Sequence, residues 1–262
     1  MNVVIVAAGE GRRLRPLTDE QPKCMIELAG QPILHRQIAT LVRNGIENIT
    51  LVAGYRADRI QARNASIVIN HSYARCNMVV SLFQAAPAMK SGQDLLVSYG
   101  DIVYEDRVLH ALMKCPGEIA VAADVSWRTL WQVRMEDPLM DAESFKMTEN
   151  NRILELGAKL DCHTEAQAQF IGLIKVRKDR VAEFKTAYQE IDRKARFRGR
   201  RFAQMHMTDF LQHLINVGWD IRAAPISNGW LEVDSVQDLE RYHSLAHAGR
   251  LDSFIKLDPP VA

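Results

Sequence analysis

Ala7-Ala8-Gly9-Glu10-Gly11-Arg12-Arg13-Leu14-Arg15-Pro16-Leu17-Thr18, followed by Pro22-Lys23, decides the reading of this chain. The run before it, Val3-Val4-Ile5-Val6-Ala7, is short, apolar and β-branched, as a buried strand should be. Residues with little side chain then leave backbone N–H groups free to approach an anion, and two arginines follow at once. Arg13 can fork onto phosphate oxygens, while Lys23 brings a point charge at a position set by Pro22. A plain strand-to-helix turn with surface arginines would explain a lone Gly-x-Gly. It does not explain Gly, Arg, Pro, Thr and Pro-Lys in this order, which predicts a phosphorylated ligand.

Working outward, strand-like and helix-like segments alternate through the first half, the pattern of βαβ units and a mostly parallel sheet. Strands are expected at 3–7, 48–53, 66–70, 94–98 and 118–123, with helices near 32–44, 56–63, 77–89 and 105–114. From 124 to 166 the pattern breaks into polar, turn-rich sequence carrying Trp127 and Trp131, read either as an aromatic wall or as a helical core stripe. Regular elements return at 168–176, 178–192 and 207–217, with strands near 220–224 and 230–233 and a last helix near 235–247. The basic run Arg193–Arg201 is expected to be a solvated connector. The glycine loop after 3–7, Gly54-Tyr55 after 48–53 and Gly100-Asp101 after 94–98 all fall at carboxyl ends of strands, where open α/β sheets bind ligands.

The 262 residues, 47% of them hydrophobic, suit one large α/β domain or a domain with a lobe. A formal charge of +1 argues against a broad nucleic-acid surface. Four scattered cysteines with no CxxC or Cys-His cluster predict reduced thiols in a cytoplasmic protein. The strand opening at residue 2 predicts no secretory leader, and no apolar run nears membrane-spanning length. Monomer and homodimer both stay open.

Residues 3–34 resemble the opening of the nucleotidyltransferase (pyrophosphorylase) superfamily, whose signature is L-A-A-G-x-G-x-R-L-x-P-x-T and then P-K; Val6 to Thr18 fits it with Val6 for Leu. More narrowly, the chain resembles CTP-dependent cytidylyltransferases acting on small phosphorylated alcohols, amines or amides. These include the phosphocholine cytidylyltransferases of bacterial surface-glycan pathways and the capsular phosphoglutamine cytidylyltransferases. Asn77-Met78, Asp101, Pro138 to Glu143, Glu165 to Gly172, and Glu232-Val233-Asp234-Ser235 extend the likeness over nearly the whole chain. The resemblance implies a Rossmann-like (GT-A-like) α/β fold, its mixed, mostly parallel sheet sandwiched by helices, with an inserted acceptor-binding lobe. It implies one domain over 1–262: a nucleotide-binding half at 1–123, an acceptor and metal-completing half at 124–234, and a C-terminal helix and tail at 235–262.

Nucleotidyl transfer brings two anions together, so charge must be neutralised and the reactants aligned, with no covalent intermediate required. Magnesium does part of this, held by one or two carboxylates. Asp101, after an apolar strand and Gly100, is placed for such a ligand; Asp234 is either a second ligand or the cap of the following helix. The resemblance favours Mg²⁺ on Asp101 and Asp234, and makes Arg13 and Lys23 the catalytic cations. It gives the nucleotide, CTP, to Ala7, Ala8, Gly9, Gly11, Arg12, Gly54, Tyr55, Asn77, Met78 and Ser81. Asn77 reads equally well as a helix cap. The phosphorylated acceptor falls to Asp141, Glu143, Lys146, Glu165, Gln169 and Glu232. Charge-removing changes at Asp101 and Asp234 are expected to cost about a hundredfold or more in turnover, while the melting temperature barely falls or else rises as carboxylate repulsion is relieved.

Three rival readings fit the residues less well. A nicotinamide-dependent dehydrogenase needs a third glycine or alanine where Leu14 stands and an acid where Gly54-Tyr55 ends the second strand. A sugar-1-phosphate nucleotidyltransferase using another NTP shares the opening but should carry a Glu-Lys-Pro stretch, which is absent. A binding protein that lost catalysis would have little reason to keep Arg13, Lys23, Asp101 and Asp234 together.

Overall fold

The computed structural model describes residues 1–160 and 166–258. In chain order the main elements are β1 (Asn2–Ala7), α1 (Ile33–Arg43), β2 (Asn48–Ala53), β3 (Ser66–Ile69), α2 (Met78–Gln84), β4 (Leu95–Tyr99) and β5 (Ile102–Tyr104). They continue with α3 (Asp106–Lys114), β6 (Ile119–Asp124), α4 (Trp127–Arg134), β7 (Glu143–Met147), β8 (Ile153–Lys159) and β9 (Gln169–Val176). The last are α5 (Val181–Glu190), α6 (Met207–Asn216), β10 (Ile221–Ile226), β11 (Trp230–Glu232) and α7 (Val236–His247).

Among the described residues, seven strands form one sheet in the order β10-β6-β9-β4-β1-β2-β3. Every neighbour pair is parallel except those made by β9, which runs antiparallel to both β4 and β6. The expected α/β architecture, mixed and mostly parallel, is therefore what the chain adopts. Apolar cores lie on both faces, one holding Ile5, Leu51, Leu96 and Leu41, the other Val4, Val52, Val97 and Phe184. Alternate residues of the same strands serve opposite cores, which is why these strands read as continuous apolar runs.

β1 lies between β2 and β4, so the direction of strand succession reverses at β1. The crevice outside its carboxyl end is the topological switch point of the sheet. A side chain of α1 supports one edge of that crevice from within the core. Gln37 is buried; its Nε2 donates to the carbonyls of Tyr99 (2.9 Å) and Ile102 (2.7 Å), and its Oε1 accepts from the Ser98 hydroxyl. One amide thus pins the Gly100-Asp101 turn, and a Cβ on Gly100 would stand 2.6 Å from that of Ala7. β5 then pairs antiparallel with β11, Ile102 facing Glu232, so Asp101 and Asp234 emerge side by side although far apart in the chain.

Four expectations need correction. Within the stretch expected to be irregular, residues 124–160 hold regular elements: α4 buries Trp127, Leu130, Trp131 and Arg134 at helical spacing, and β7 and β8 form an antiparallel hairpin. Register shifts in that hairpin break the strand alternation, which hid it from the sequence reading. The helix expected at 56–63 is only a short turn at Ala57–Arg59, because the segment offers few apolar side chains to bury and Arg56 takes a left-handed backbone, φ 46°. The helix expected at 77–89 stops at Gln84 and gives way to a separate turn at Ala86–Ala88 around Pro87. Nor is the Arg193–Arg201 run merely solvated. Arg198 and Arg200 both reach the buried carboxylate of Asp209 at 3.1 Å, and the Arg193 guanidinium lies 4.0 Å from the centre of the Phe202 ring.

Candidate active site

Lys23 Nζ lies 2.7 Å from Asp101 Oδ2 and 2.6 Å from Asp234 Oδ1, and a guanidinium nitrogen of Arg13 contacts the other oxygen of Asp234. The lysine side chain is only 15% exposed. Burial acts to lower its pKa, but Asp101, Asp234 and Glu232 outweigh that and hold it above the ordinary lysine value. At Asp234 burial acts to raise the pKa, yet Lys23, Arg13 and Arg134 leave it below the usual carboxylate range. The alternative of Asp234 as a helix cap fails. Ser235 caps α7, its hydroxyl accepting from Asp238 N, while Asp238 Oδ2 accepts from the backbone N–H groups of Asp234 and Ser235. That reciprocal box satisfies the helix terminus and leaves the Asp234 side chain turned to the lysine.

A cavity of about 320 Å³ opens beside this corner. Ala7, Ala8, Gly9, Gly11, Arg12, Arg13, Lys23, Asn77, Met78, Ser81, Asp101 and Asp234 all line it. Gly11 has φ 60°, and a Cβ there would press on Lys23 at 3.0 Å, so the lysine runs directly behind the glycine loop. Asn77 Oδ1 accepts from Met78 N and so caps α2, while also facing the cavity. Tyr73 and Cys76 complete the wall, with Asn70 behind them donating to Ser81 Oγ at 2.9 Å.

Gly54 and Tyr55, expected to touch the ligand, do not line this cavity. They support it from behind. Tyr55 N donates to Ala8 O, its hydroxyl donates to the carbonyl of Thr18, and a Cβ on Gly54 would stand 2.7 Å from Ala8 O. Arg12 lines the cavity but is already paired with Glu10, whose carboxylate accepts from its Nε at 2.8 Å.

A second cavity, about 350 Å³, shares Asn77 and Met78 with the first. Asp141, Glu143, Gln169 and Glu232 line it, together with Tyr99, Phe170, Trp131, Trp230 and Thr208. Burial raises the Glu143 pKa, while the Thr208 hydroxyl and Arg198 pull against that rise. Burial likewise pushes Glu232 up to about 7, with Arg134 opposing and Asp101 and Asp234 adding to it. Gln169 exchanges two hydrogen bonds with the Glu143 backbone and so frames the cavity. Lys146, expected here, points away to an exposed ion pair with Glu155, because it alternates to the opposite face of β7. Glu165 lies outside the described residues. Trp127 is core, whereas Trp131 packs on Trp230 and forms part of the wall.

The description "MobA-like NTP transferase domain" matches residues 3–156. The chain belongs to this family. The nucleotidyltransferase is 39% identical over 249 residues to the CTP:phosphoglutamine cytidylyltransferase of Campylobacter jejuni, covering 92% of this chain and 98% of that protein. Its fold matches the CTP:phosphocholine cytidylyltransferase of Streptococcus pneumoniae with a TM-score of 0.70 at 17% identity, over 94% of this chain and 98% of the other. The inositol-1-phosphate CTP transferase of T. maritima gives 0.70 at 19% identity, over 97% of each chain.

Nucleotidyltransferases of this kind use a divalent cation, and the corner suits one. Carboxylate oxygens of Asp101, Glu232 and Asp234 lie within 4.8 Å of one another, and Asp101 Oδ1 is buried with no hydrogen-bond partner. An all-oxygen set with an orphaned carboxylate oxygen fits a hard cation such as Mg²⁺. Among the described residues no helix is long and apolar enough to cross a membrane. Sequence reasoning missed Tyr73, Tyr99, Phe170 and Thr208 as lining residues. One signal for Phe170 was present: it lies inside the Glu165 to Gly172 stretch that carries the resemblance, and its ring meets that of Tyr99 edge-on, 5.6 Å between centres.

Proposed function

We propose that this protein is a CTP-dependent cytidylyltransferase that joins CMP to a small phosphorylated compound of the phosphoglutamine type and releases pyrophosphate. The observation that carries the reading is the meeting of two cavities. The glycine-loop cavity and the acidic cavity share Asn77 and Met78; the Lys23–Asp101–Asp234 corner lines the first, and Glu232 of the second brings a carboxylate oxygen within 4.8 Å of those of Asp101 and Asp234. The similarity to the phosphoglutamine enzyme along nearly its whole length supports the same substrate pair.

In this reading the triphosphate lies along Ala8–Gly11, with Arg13 on its phosphates and Asn77 and Ser81 toward the base. The phosphate of the acceptor enters from the acidic cavity, where Asp141, Glu143 and Glu232 suit an ammonium group at its far end. An acceptor phosphate oxygen attacks the α-phosphorus, the bond to the β-phosphate oxygen breaks, and pyrophosphate leaves with the charge. Lys23, in the first cavity and close enough to Glu232 of the second to feel its charge, neutralises the crowding of the two phosphates, and that charge counts most in the transition state. Mg²⁺ held by Asp101 and Asp234 would supply further charge neutralisation on the triphosphate. The same reading divides the chain into a nucleotide half at 1–123, an acceptor and metal-completing half at 124–234 and a C-terminal segment from 235.

The test is product formation followed by ³¹P NMR, with CTP, UTP, dTTP and GTP each offered with phosphoglutamine, phosphocholine and 2-aminoethylphosphonate. A CDP- or CMP-linked product with pyrophosphate, from CTP in preference to the other nucleotides, is expected. Equal turnover with UTP, dTTP or GTP would refute the cytidylyl assignment, leaving nucleotidyl transfer in place.

A further inference from the structure

Arg134, at the end of α4, is 1% exposed, and no signature of the chain draws attention to it. Its Nη1 lies 2.8 Å from Glu232 Oε2, in the wall of the acidic cavity. Its Nε lies 3.2 Å from Asp238 Oδ1, and Asp238 Oδ2 accepts from Asp234 N at 3.0 Å. The guanidinium also covers the Trp131 ring, 5.3 Å from its centre. A largely buried guanidinium can be satisfied in this fold without a hydrogen bond to a carboxylate: Arg36, 6% exposed, donates to the carbonyls of Leu28, Ala29 and Asp258. At Arg134 both partners are acidic, and each leads to a different half of the site. One is a wall of the second cavity; the other fixes the main chain from which Asp234 reaches Lys23.

Resting on the reading above, we propose that Arg134 is a positioning residue that holds Glu232 on the acceptor side and Asp234 on the cation side in a single frame. The planar fork matters as well as the charge, because Glu232 and Asp238 are met by two different nitrogens, Nη1 and Nε, and a lysine offers only one nitrogen at the end of its chain. Loss of the fork lets Glu232 turn and the Asp234 backbone drift, so acceptor binding and cation binding weaken together. A residue that only packed α4 against α7 would change stability and neither affinity.

Arg134→Lys and Asp238→Asn test this. Cation binding is read without turnover, by Mn²⁺ electron paramagnetic resonance titration of the protein with CTP and no acceptor; acceptor KM is read separately by steady-state kinetics. In Arg134→Lys we expect the Mn²⁺ dissociation constant and the acceptor KM each to rise about tenfold, with CTP binding in EDTA unchanged. Asp238→Asn cuts only one arm, so Mn²⁺ binding should weaken while acceptor KM holds; this variant carries the test if Arg134→Lys does not fold. Unchanged Mn²⁺ affinity in the folded variants, or a lower melting temperature with both constants intact, would overturn the proposal. Wild-type protein that binds Mn²⁺ and CTP but transfers to no acceptor would sink the functional reading instead, and the Mn²⁺ titration would still decide the Asp234 arm.

Discussion

Lys23 and Asp234 are 211 residues apart in the chain and 2.6 Å apart in space. The first comes from the loop behind Gly11 and the second from the turn between β11 and α7, and Asp101 meets both. One buried ammonium therefore neutralises two carboxylates that could not otherwise sit together at low cost.

Lys23→Met should lower kcat on the order of a hundredfold or more, since the lost charge acts where both phosphates crowd. The variant also leaves Asp101 and Asp234 facing each other with only Arg13, on Asp234, to offset their charge directly. In EDTA its melting temperature should fall below that of wild type, and Mg²⁺ should recover more of the loss than it adds to wild type. Differential scanning fluorimetry with and without Mg²⁺ checks this, and an equal Mg²⁺ response in both proteins would contradict it.

Asp101→Asn and Asp234→Asn should each cost on the order of a hundredfold in turnover. The expectation from sequence that stability would hold or rise is revised by the ion pairs around Lys23. The lysine already relieves the repulsion, so removing a carboxylate strips a partner from a buried cation. Both variants should melt below wild type in EDTA, Asp234→Asn more so because Arg13 loses its partner too. A rise in either melting temperature would argue against the pairing.

Glu143→Gln should raise acceptor KM roughly tenfold to a hundredfold, as loss of a charge-assisted contact worth about 1.5–3 kcal/mol implies. The KM for CTP should stay level, since Glu143 lines only the second cavity. Lys146→Ala, on the outer face of β7, should leave both constants unchanged. Steady-state kinetics on the two variants separate the faces of one strand.

Glu232 introduces a pH dependence of known sign. Its carboxyl ionises near 4.5 in an unfolded chain, whereas burial holds the folded value up at about 7. Between these values the unfolded state has released a proton that the fold retains, so stability from this group declines as pH rises through the window. Urea unfolding in EDTA at pH 5 and pH 8 should show wild type losing ground relative to Glu232→Gln on the alkaline side. Parallel changes in the two proteins would place the proton elsewhere.

Gly54→Ala should act on a loop it never shows to the ligand. The new Cβ would meet Ala8 O and Tyr73 Cβ, both at 2.7 Å, and displace the wall of the nucleotide cavity. A higher KM for CTP with acceptor KM unchanged is the expected kinetic result.

How much of this was legible in advance follows from the range of each interaction. The glycine loop, the strands that precede it and the second and fourth strands of the sheet could be read because β-branched apolar runs and glycine punctuation act over a few residues. The α4 helix was legible in principle, its buried Trp127, Leu130, Trp131 and Arg134 falling at helical spacing, but polar neighbours masked it. The β7–β8 hairpin was not, since its register shifts erase the alternation that marks a strand. By itself the sequence determined an α/β sheet with a cationic, phosphate-seeking loop at a strand end, and the residue types the chemistry requires. Only the tertiary structure decided that Lys23 stands between Asp101 and Asp234, that Tyr55 supports the loop from behind, and that Arg134 faces two acids at once. Those outcomes depend on the pairing of β5 with β11 and on which face each side chain presents, and contacts between residues 37 to 211 positions apart leave no local pattern to read.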